Sequence, residues 1–309
     1  MIAAIDIGGT KIAVGMVEDQ GEILARAETP TSPELGYAAA LERTTGLLRQ
    51  VAEQASRQIT GIGIGCTGPI DPITGEIGNV NHFPEWEGEN PVCDLATSFG
   101  VRVAVENDAD AAALGEAEWG AGKHKSRLIY VTVGTGIGAA IVLDGKLYRG
   151  VNHAHPEIGH HVIDPSGPSC LCGFHGCWES LAAGPAMVQW IKSVASKDYP
   201  HLTSLTAKRI CELARQGDDL AQKSVDRETH YLGLGLANLV TLFAPDAIVL
   251  SGSVIKSADL FLDGIRRIIG ESCAFVPWQQ AELSLASLGE DANLIGAACV
   301  WHSRFGSGR

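Results

Sequence analysis

Apolar residues open the chain in two short runs, Ile2-Ala3-Ala4-Ile5 and Ile12-Ala13-Val14-Gly15-Met16-Val17, separated by Asp6-Ile7-Gly8-Gly9-Thr10-Lys11. Short runs joined through glycine predict a β-hairpin with a tight, backbone-rich turn. Asp19-Gln20-Gly21 leads into a third strand over Ile23–Ala27, and Leu41, Leu47, Leu48 and Val51 then recur at helical spacing. Gly61–Gly65 predicts another strand. The stretch from Gly68-Pro69 to Glu87-Gly88 is too irregular for a core element and suits a binding loop. Val101–Val105 predicts a strand ending at Glu106-Asn107-Asp108, and the alanine-rich run Ala109–Trp119 predicts a helix.

The strand, turn and strand plan then repeats: Leu128–Val133, Gly134-Thr135-Gly136-Ile137-Gly138 and Ala139–Leu143, with Asp144-Gly145 as a hairpin turn. Helices are predicted over 181–197, 205–216, 218–243 and 292–303, with a buried strand at Ala247-Ile248-Val249-Leu250. Two glycine turns in successive α/β halves predict two related domains facing a cleft. The first is placed at 1–119, with the C-terminal segment 292–309 packing back on it. The second is placed at 120–291, and Gly120-Ala121-Gly122-Lys123 is the expected first crossing.

Composition narrows the function. A chain of 309 residues with 45% hydrophobic and 19% charged residues is an ordinary globular protein with room for two cores. Its 23 basic and 36 acidic residues give a net charge of −13, which opposes a sequence-independent grip on nucleic acid or an anionic membrane. The uncharged run Tyr231–Ala244 is too short to span a bilayer, and Asp6 interrupts any signal-peptide pattern, so a cytoplasmic protein is expected. Eight cysteines in that compartment read as metal ligands or core residues rather than disulfides. Cys66, Cys93, Cys211, Cys273 and Cys299 are scattered and read as core; Cys170, Cys172 and Cys177 are clustered.

Four constellations carry chemistry. In Asp6-Ile7-Gly8-Gly9-Thr10-Lys11 the glycines let backbone N–H groups approach an anion, and the aspartate can hold hydrated Mg²⁺. Gly134-Thr135-Gly136 repeats that logic. An ordinary hairpin turn is the plain alternative for each, and no GxxxxGK[ST] is present. Asp108, at a strand end, can face a ligand and accept a hydroxyl proton, or it can simply cap the following helix. His160 with Cys170, Cys172 and Cys177 supplies a closed tetrahedral shell for a structural Zn²⁺, with His161 and His175 as competing donors. Glu157 and Glu179 bracket this cluster and can hydrogen-bond a polyol, or stand as solvated surface groups.

Taken together these residues resemble the ROK family (repressors, open reading frames and kinases) of bacterial sugar kinases. The likeness runs nearly end to end, through Asp6–Lys11, Gly68-Pro69 with Asp71, Asn81 before Pro84 and Trp86, Glu106–Ala111, Gly134–Gly138, Glu157-Ile158-Gly159-His160 and Cys170-x-Cys172-Gly173-x-x-Gly176-Cys177-x-Glu179. The resemblance implies a two-lobed, actin-like (ribonuclease-H-like) α/β ATPase fold with its active-site cleft between the lobes. It implies an ATP- and Mg²⁺-dependent hexokinase, glucokinase first, that makes a hexose 6-phosphate. Asp108 would be the general base, and Gly68, Asn81, Asn107, Asp108, Glu157, His160 and Glu179 would bind the sugar. Asp6, Gly8, Gly9, Thr10, Lys11, Gly134, Thr135, Gly136 and Gly252 would face ATP and Mg²⁺. His160, Cys170, Cys172 and Cys177 would hold Zn²⁺, and a homodimer or homotetramer is implied.

This sequence departs from the family pattern in three places. Leu250-Ser251-Gly252-Ser253 stands where a glycine triplet is common, and Gly138-Ala139-Ala140 ends the second turn with fewer glycines. His155-Pro156-Glu157 is similar to the fructokinase branch, whereas Gly176-Cys177-Trp178-Glu179 is similar to glucokinases. N-acetylmannosamine, N-acetylglucosamine and fructose are therefore the alternative substrates. The competing class within the family is a sugar-responsive transcriptional regulator. Such members resemble kinases fused to an N-terminal helix-turn-helix, for which the start at Asp6 leaves no room.

Overall fold

A computed structural model describes residues 1–80, 83–197, 199 and 202–306. The chain forms two compact units, one of Met1–Ser126, Ala140–Pro156 and Ala286–Arg309, the other of Arg127–Ala139 and Glu157–Leu285. The first passage thus falls after Ser126, not at Gly120–Lys123, and residues 140–156 group with the first unit. Helix 292–305 belongs to that unit too, while 307–309 lie outside the described residues.

In the first unit, β1 (Ile2–Ile7), β2 (Lys11–Val17) and β3 (Ile23–Pro30) form an antiparallel meander. Helix α1 (Tyr37–Gln54) leads to β4 (Gly61–Cys66), and α2 (Pro91–Phe99) leads to β5 (Arg102–Asn107) and α3 (Asp108–Glu118). Strands β4 and β5 add in parallel, giving the order β3-β2-β1-β4-β5. Strands buried on both faces need continuous apolar runs, as β1 and β4 have, and one face packs Ile5, Ile62, Ile64, Leu48 and Trp86 into a core.

The second half contributes β6 (Arg127–Val133), β7 (Ile137–Leu143), β8 (Lys146–Leu147), α4 (Trp178–Ala182), α5 (Gly184–Val194), α6 (Ala207–Arg215) and α7 (Asp219–Phe243). It continues with β9 (Ala247–Ser251), α8 (Leu262–Ser272) and β10 (Glu282–Leu285), and α9 (Ala292–Phe305) ends the described chain. The sheet order is β10-β9-β6-β7-β8. Read from β8, this matches the first sheet strand for strand: an antiparallel hairpin edge, then two parallel additions through helical crossovers. The repeat predicted from the two glycine turns is thus a repeat of topology.

One predicted helix, 181–197, is two. Ala183 takes an extended conformation (φ −102°, ψ 165°) between α4 and α5. Pro185 lies in the first turn of α5, where its missing N–H is tolerated, and it could not continue α4. Among the described residues no helix is long and apolar enough to cross a membrane.

Candidate active site

In the first unit the chemistry gathers at the C-terminal ends of β1, β4 and β5. Asn107 is the N-cap of α3: its Oδ1 accepts the Ala109 N–H at 2.9 Å. Asp108, which could have been the cap, is instead the first helical residue. Its Oδ1 shares the Ala109 N–H at 2.8 Å, and its Oδ2 accepts from Thr67 Oγ1 at 3.0 Å. The capping alternative therefore falls to Asn107, whose amide also packs against Gly68. Burial pushes the Asp108 carboxyl above its ordinary range, and the bonds from Thr67 and Ala109 pull it back.

Asp6 lies near the end of β1, where its Oδ1 accepts from Asn293 Nδ2 at 3.4 Å. Burial first, and the charge of Asp108 second, push Asp6 up to about 7. The neighbouring cations do little to offset this. Arg26 is held by Glu28 at 2.7 Å and Asp291 at 3.0 Å, and Lys11 Nζ lies 3.4 Å from Glu28. An excess of buried negative charge is what a hydrated divalent cation would relieve, so the residues fit Mg²⁺.

The β1–β2 turn is closed by the Gly8 N–H donating to Lys11 O at 3.0 Å. It is pinned from β3's end by the buried Thr31, whose hydroxyl donates to Gly8 O at 2.6 Å and whose N–H donates to Thr10 O at 3.0 Å. Lys11 sits on the exposed start of β2, and reaching a phosphate would mean leaving Glu28. A solvent-exposed pair of this kind is screened by water and is readily broken.

In the second unit the sulfur ligands converge. The donor atoms of His160, Cys170, Cys172 and Cys177 all lie within 4.8 Å of one another. Cys170 Sγ is 3.3 Å from His160 Nδ1, and Cys172 Sγ is 3.5 Å from Cys177 Sγ. Tetrahedral zinc with Zn–S bonds near 2.3 Å separates its ligands by about 3.7 Å, so the donor set fits that ion. The competing donors stand elsewhere. His161 Nδ1 lies 2.6 Å from Ile158 O and its ring packs on Trp178, and His175 is exposed outside the group. Burial and the neighbouring thiols push Cys177 up to about 12, a protonated state that a coordinated metal would reverse.

Cys177 is also the N-cap residue of α4, and two residues on, Glu179 Oε2 accepts the Ile137 N–H at 2.9 Å. The cysteine cluster is thereby tied to the β6–β7 turn, where the Gly134 N–H donates to Gly136 O at 2.9 Å. A side chain at Gly136 would run into this carboxylate, since its Cβ would lie 2.3 Å from Glu179 Oε2. Thr135 lies at the tip of that turn. Glu157 is exposed and leads into the 3₁₀ turn Ile158–His160, accepting the His160 N–H on its backbone oxygen at 3.0 Å. Gly252 follows β9 at φ 100°, a conformation glycine accommodates. Asn81 lies outside the described residues.

Sequence reasoning missed Thr31, Thr67 and Asn293. Each acts on a residue far away in the chain, and a lone Thr or Asn carries no pattern.

Two sheets of one order, each beginning with a hairpin whose glycine turn follows the first strand, define an actin-like α/β ATPase fold. The profile of the ROK family matches residues 2–304, and the chain belongs to that family. It is 35% identical over 308 residues to the glucokinase of Streptomyces coelicolor, covering 95% of each chain. It is 30% identical over 299 residues to the xylose repressor of Bacillus subtilis, covering 96% of this chain and 75% of that protein. Among solved structures it superposes on the ROK family glucokinase of Streptomyces griseus, in complex with glucose and AMPPNP. That likeness has a TM-score of 0.79 at 33% identity and covers 96% of this chain and 97% of the other.

Proposed function

We propose that the protein is an ATP-dependent hexose kinase that phosphorylates the 6-hydroxyl, with glucose as its first substrate. The observation that carries this is Asp108: a partly buried carboxylate fixed at both oxygens, on the first turn of a helix, close enough to a second carboxylate, Asp6, to raise the proton affinity of Asp6. Full-length likeness to glucokinases supports the same reading.

In this mechanism Asp108 takes the proton of the acceptor hydroxyl as that oxygen attacks the γ-phosphorus of ATP, and ADP leaves. Phosphoryl transfer asks little else of the protein than positioning and neutralisation of charge. Asn107, Gly68, Asn81, Glu157, His160 and Glu179 orient the sugar. The turns at Gly8-Gly9-Thr10-Lys11 and Gly134-Thr135-Gly136, with Gly252, offer backbone N–H groups and hydroxyls to the nucleotide. Asp6 would hold Mg²⁺, which when bound neutralises phosphate charge. His160, Cys170, Cys172 and Cys177 would hold zinc as a structural ion that stiffens the loop before α4. A coupled assay over glucose, mannose, fructose, N-acetylglucosamine and N-acetylmannosamine tests the reading. Turnover greatest with glucose supports it, a different preferred sugar moves the assignment within the family, and phosphorylation of none of them removes the kinase.

Thr67 offers a finer check. Its hydroxyl favours the ionised form of Asp108, so Thr67→Val raises that pKa further. The base works only when ionised. As pH falls, the variant therefore loses activity at a higher pH than the wild type, and the acid limb of the kcat profile moves upward. An unmoved limb would separate Thr67 from the proton transfer.

A further inference from the structure

The corner that carries Asp108 is crowded with negative charge. Glu106, Asp108 and Asp110 stand within one strand end and helix start, and the Asp110 side chain is 1% exposed. Buried carboxylates need partners; Asp108 has Thr67, whereas Glu106 and Asp110 draw their nearest cationic partners from one segment, 148–156, beyond β8. Arg149 is held at both terminal nitrogens, Nη2 by Glu106 Oε2 and Nη1 by Asp110 Oδ2 at 2.9 Å. His155 Nδ1 lies 2.8 Å from the same Asp110 oxygen; an ionised carboxylate only accepts, so Nδ1 carries the hydrogen. Arg304 approaches the other Glu106 oxygen only to 3.8 Å.

The segment between these anchors has little packing of its own. Val151 is 83% exposed, and Asn152 and His153 both sit at positive φ, 53° and 61°. Besides its own turn bonds, Gly150 N–H to Ala154 O at 2.9 Å and Ala154 N–H to Val151 O at 3.1 Å, side-chain anchors hold it at Arg149 and His155. Two residues after His155 the chain reaches Glu157.

We propose that Arg149 and His155 are positioning residues for phosphoryl transfer. Gripping Asp110, and in the case of Arg149 Glu106 as well, they clamp segment 148–156 to the β5–α3 corner. The clamp steadies the strand end and first helical turn that present Asn107 and Asp108. The inference rests on the kinase reading, and neither residue is assigned a contact with substrate. Arginine is required because its planar fork presents separate nitrogens to two carboxylates, which a single lysine ammonium cannot do.

The test uses the full chain and the variants Arg149→Met, Arg149→Lys and Asp110→Asn, assayed well below their melting temperatures. Misplacing a reacting group by about 1 Å can cost about 100-fold, so Arg149→Met is expected to lower kcat/KM for the sugar by about tenfold or more. The KM for ATP should stay within about twofold, and Arg149→Lys should fall between Arg149→Met and the wild type. Adding Asp110→Asn to Arg149→Met should cost little more, because both break one network. A merely structural clamp would lower the melting temperature and leave the kinetic constants alone. Folded Arg149→Met with kcat/KM within about twofold of wild type overturns the proposal. If that variant does not fold, Arg149→Lys decides by the same criterion. Wild-type protein that phosphorylates no hexose removes the kinase reading and this proposal with it, whereas an active wild type with unaffected variants removes the proposal alone.

Discussion

Asp108→Asn is expected to lower kcat by about 10²–10⁴-fold while sugar binding persists, the range that loss of a general base produces. The substitution is close to isosteric. Its amide oxygen can still accept from Thr67 Oγ1 or from the Ala109 N–H, so the corner at the start of α3 keeps its shape. What disappears is the basic oxygen. The change also removes the charge that helps push Asp6 up to about 7, so Asp6 should ionise more readily and folding should not suffer. Stability and catalysis are thus predicted to move apart, which an ordinary core substitution does not do. Calorimetric titration of glucose, with initial rates on the same preparation, checks both halves. Retention of more than about a tenth of wild-type kcat would take the base role away from Asp108.

The second large effect concerns metal. The purified chain is expected to carry one zinc, and Cys172→Ser is expected to lose it together with folding or sugar affinity. Structural zinc sites contribute apparent binding energies of about 10–16 kcal/mol at neutral pH. Cys172 is a discriminating choice because it is exposed. A mere surface thiol would be replaced at little cost, so a collapse would report the ion and not packing. The damage should travel along named bonds. Cys177 begins α4, Trp178 N–H donates to His161 O at 2.9 Å, and Glu179 holds the Ile137 N–H. Elemental analysis and glucose titration of wild type and variant measure both effects. A zinc-free wild type with full activity would sink the assignment.

The strands and long helices were legible because their apolar residues recur at the right period. Helix α8 carries the same signal, which the predicted elements do not include: Leu262, Ile265 and Ile269 lie on one face, with Ile265, Ile268 and Ile269 buried. The same holds for α2, where Asn90 caps a turn that begins with Pro91 and buries Leu95. Strand β10 is different. It has two exposed and two half-buried residues and a single parallel partner, and nothing local marks it. At the site, spacing brought His160 and the three cysteines together because all four lie within eighteen residues. Spacing left His161 open; its bond to Ile158 O and its packing on Trp178 are tertiary facts. The Thr67–Asp108 bond spans 41 residues and the Asn293–Asp6 bond 287, distances over which a single sequence holds no signal.

The common strand order of the two sheets has a chemical corollary. Strands β1 and β6 occupy equivalent places, each running into a glycine turn, so Asp6 and Thr132 are counterparts as the penultimate residues of their strands. A repeated architecture offered two sockets for an acid, and this chain fills one with a carboxylate and the other with a neutral hydroxyl. Twofold kinship in the backbone is therefore not matched in the chemistry: electrostatic duty has been given to one half, and the other was left uncharged at the corresponding point.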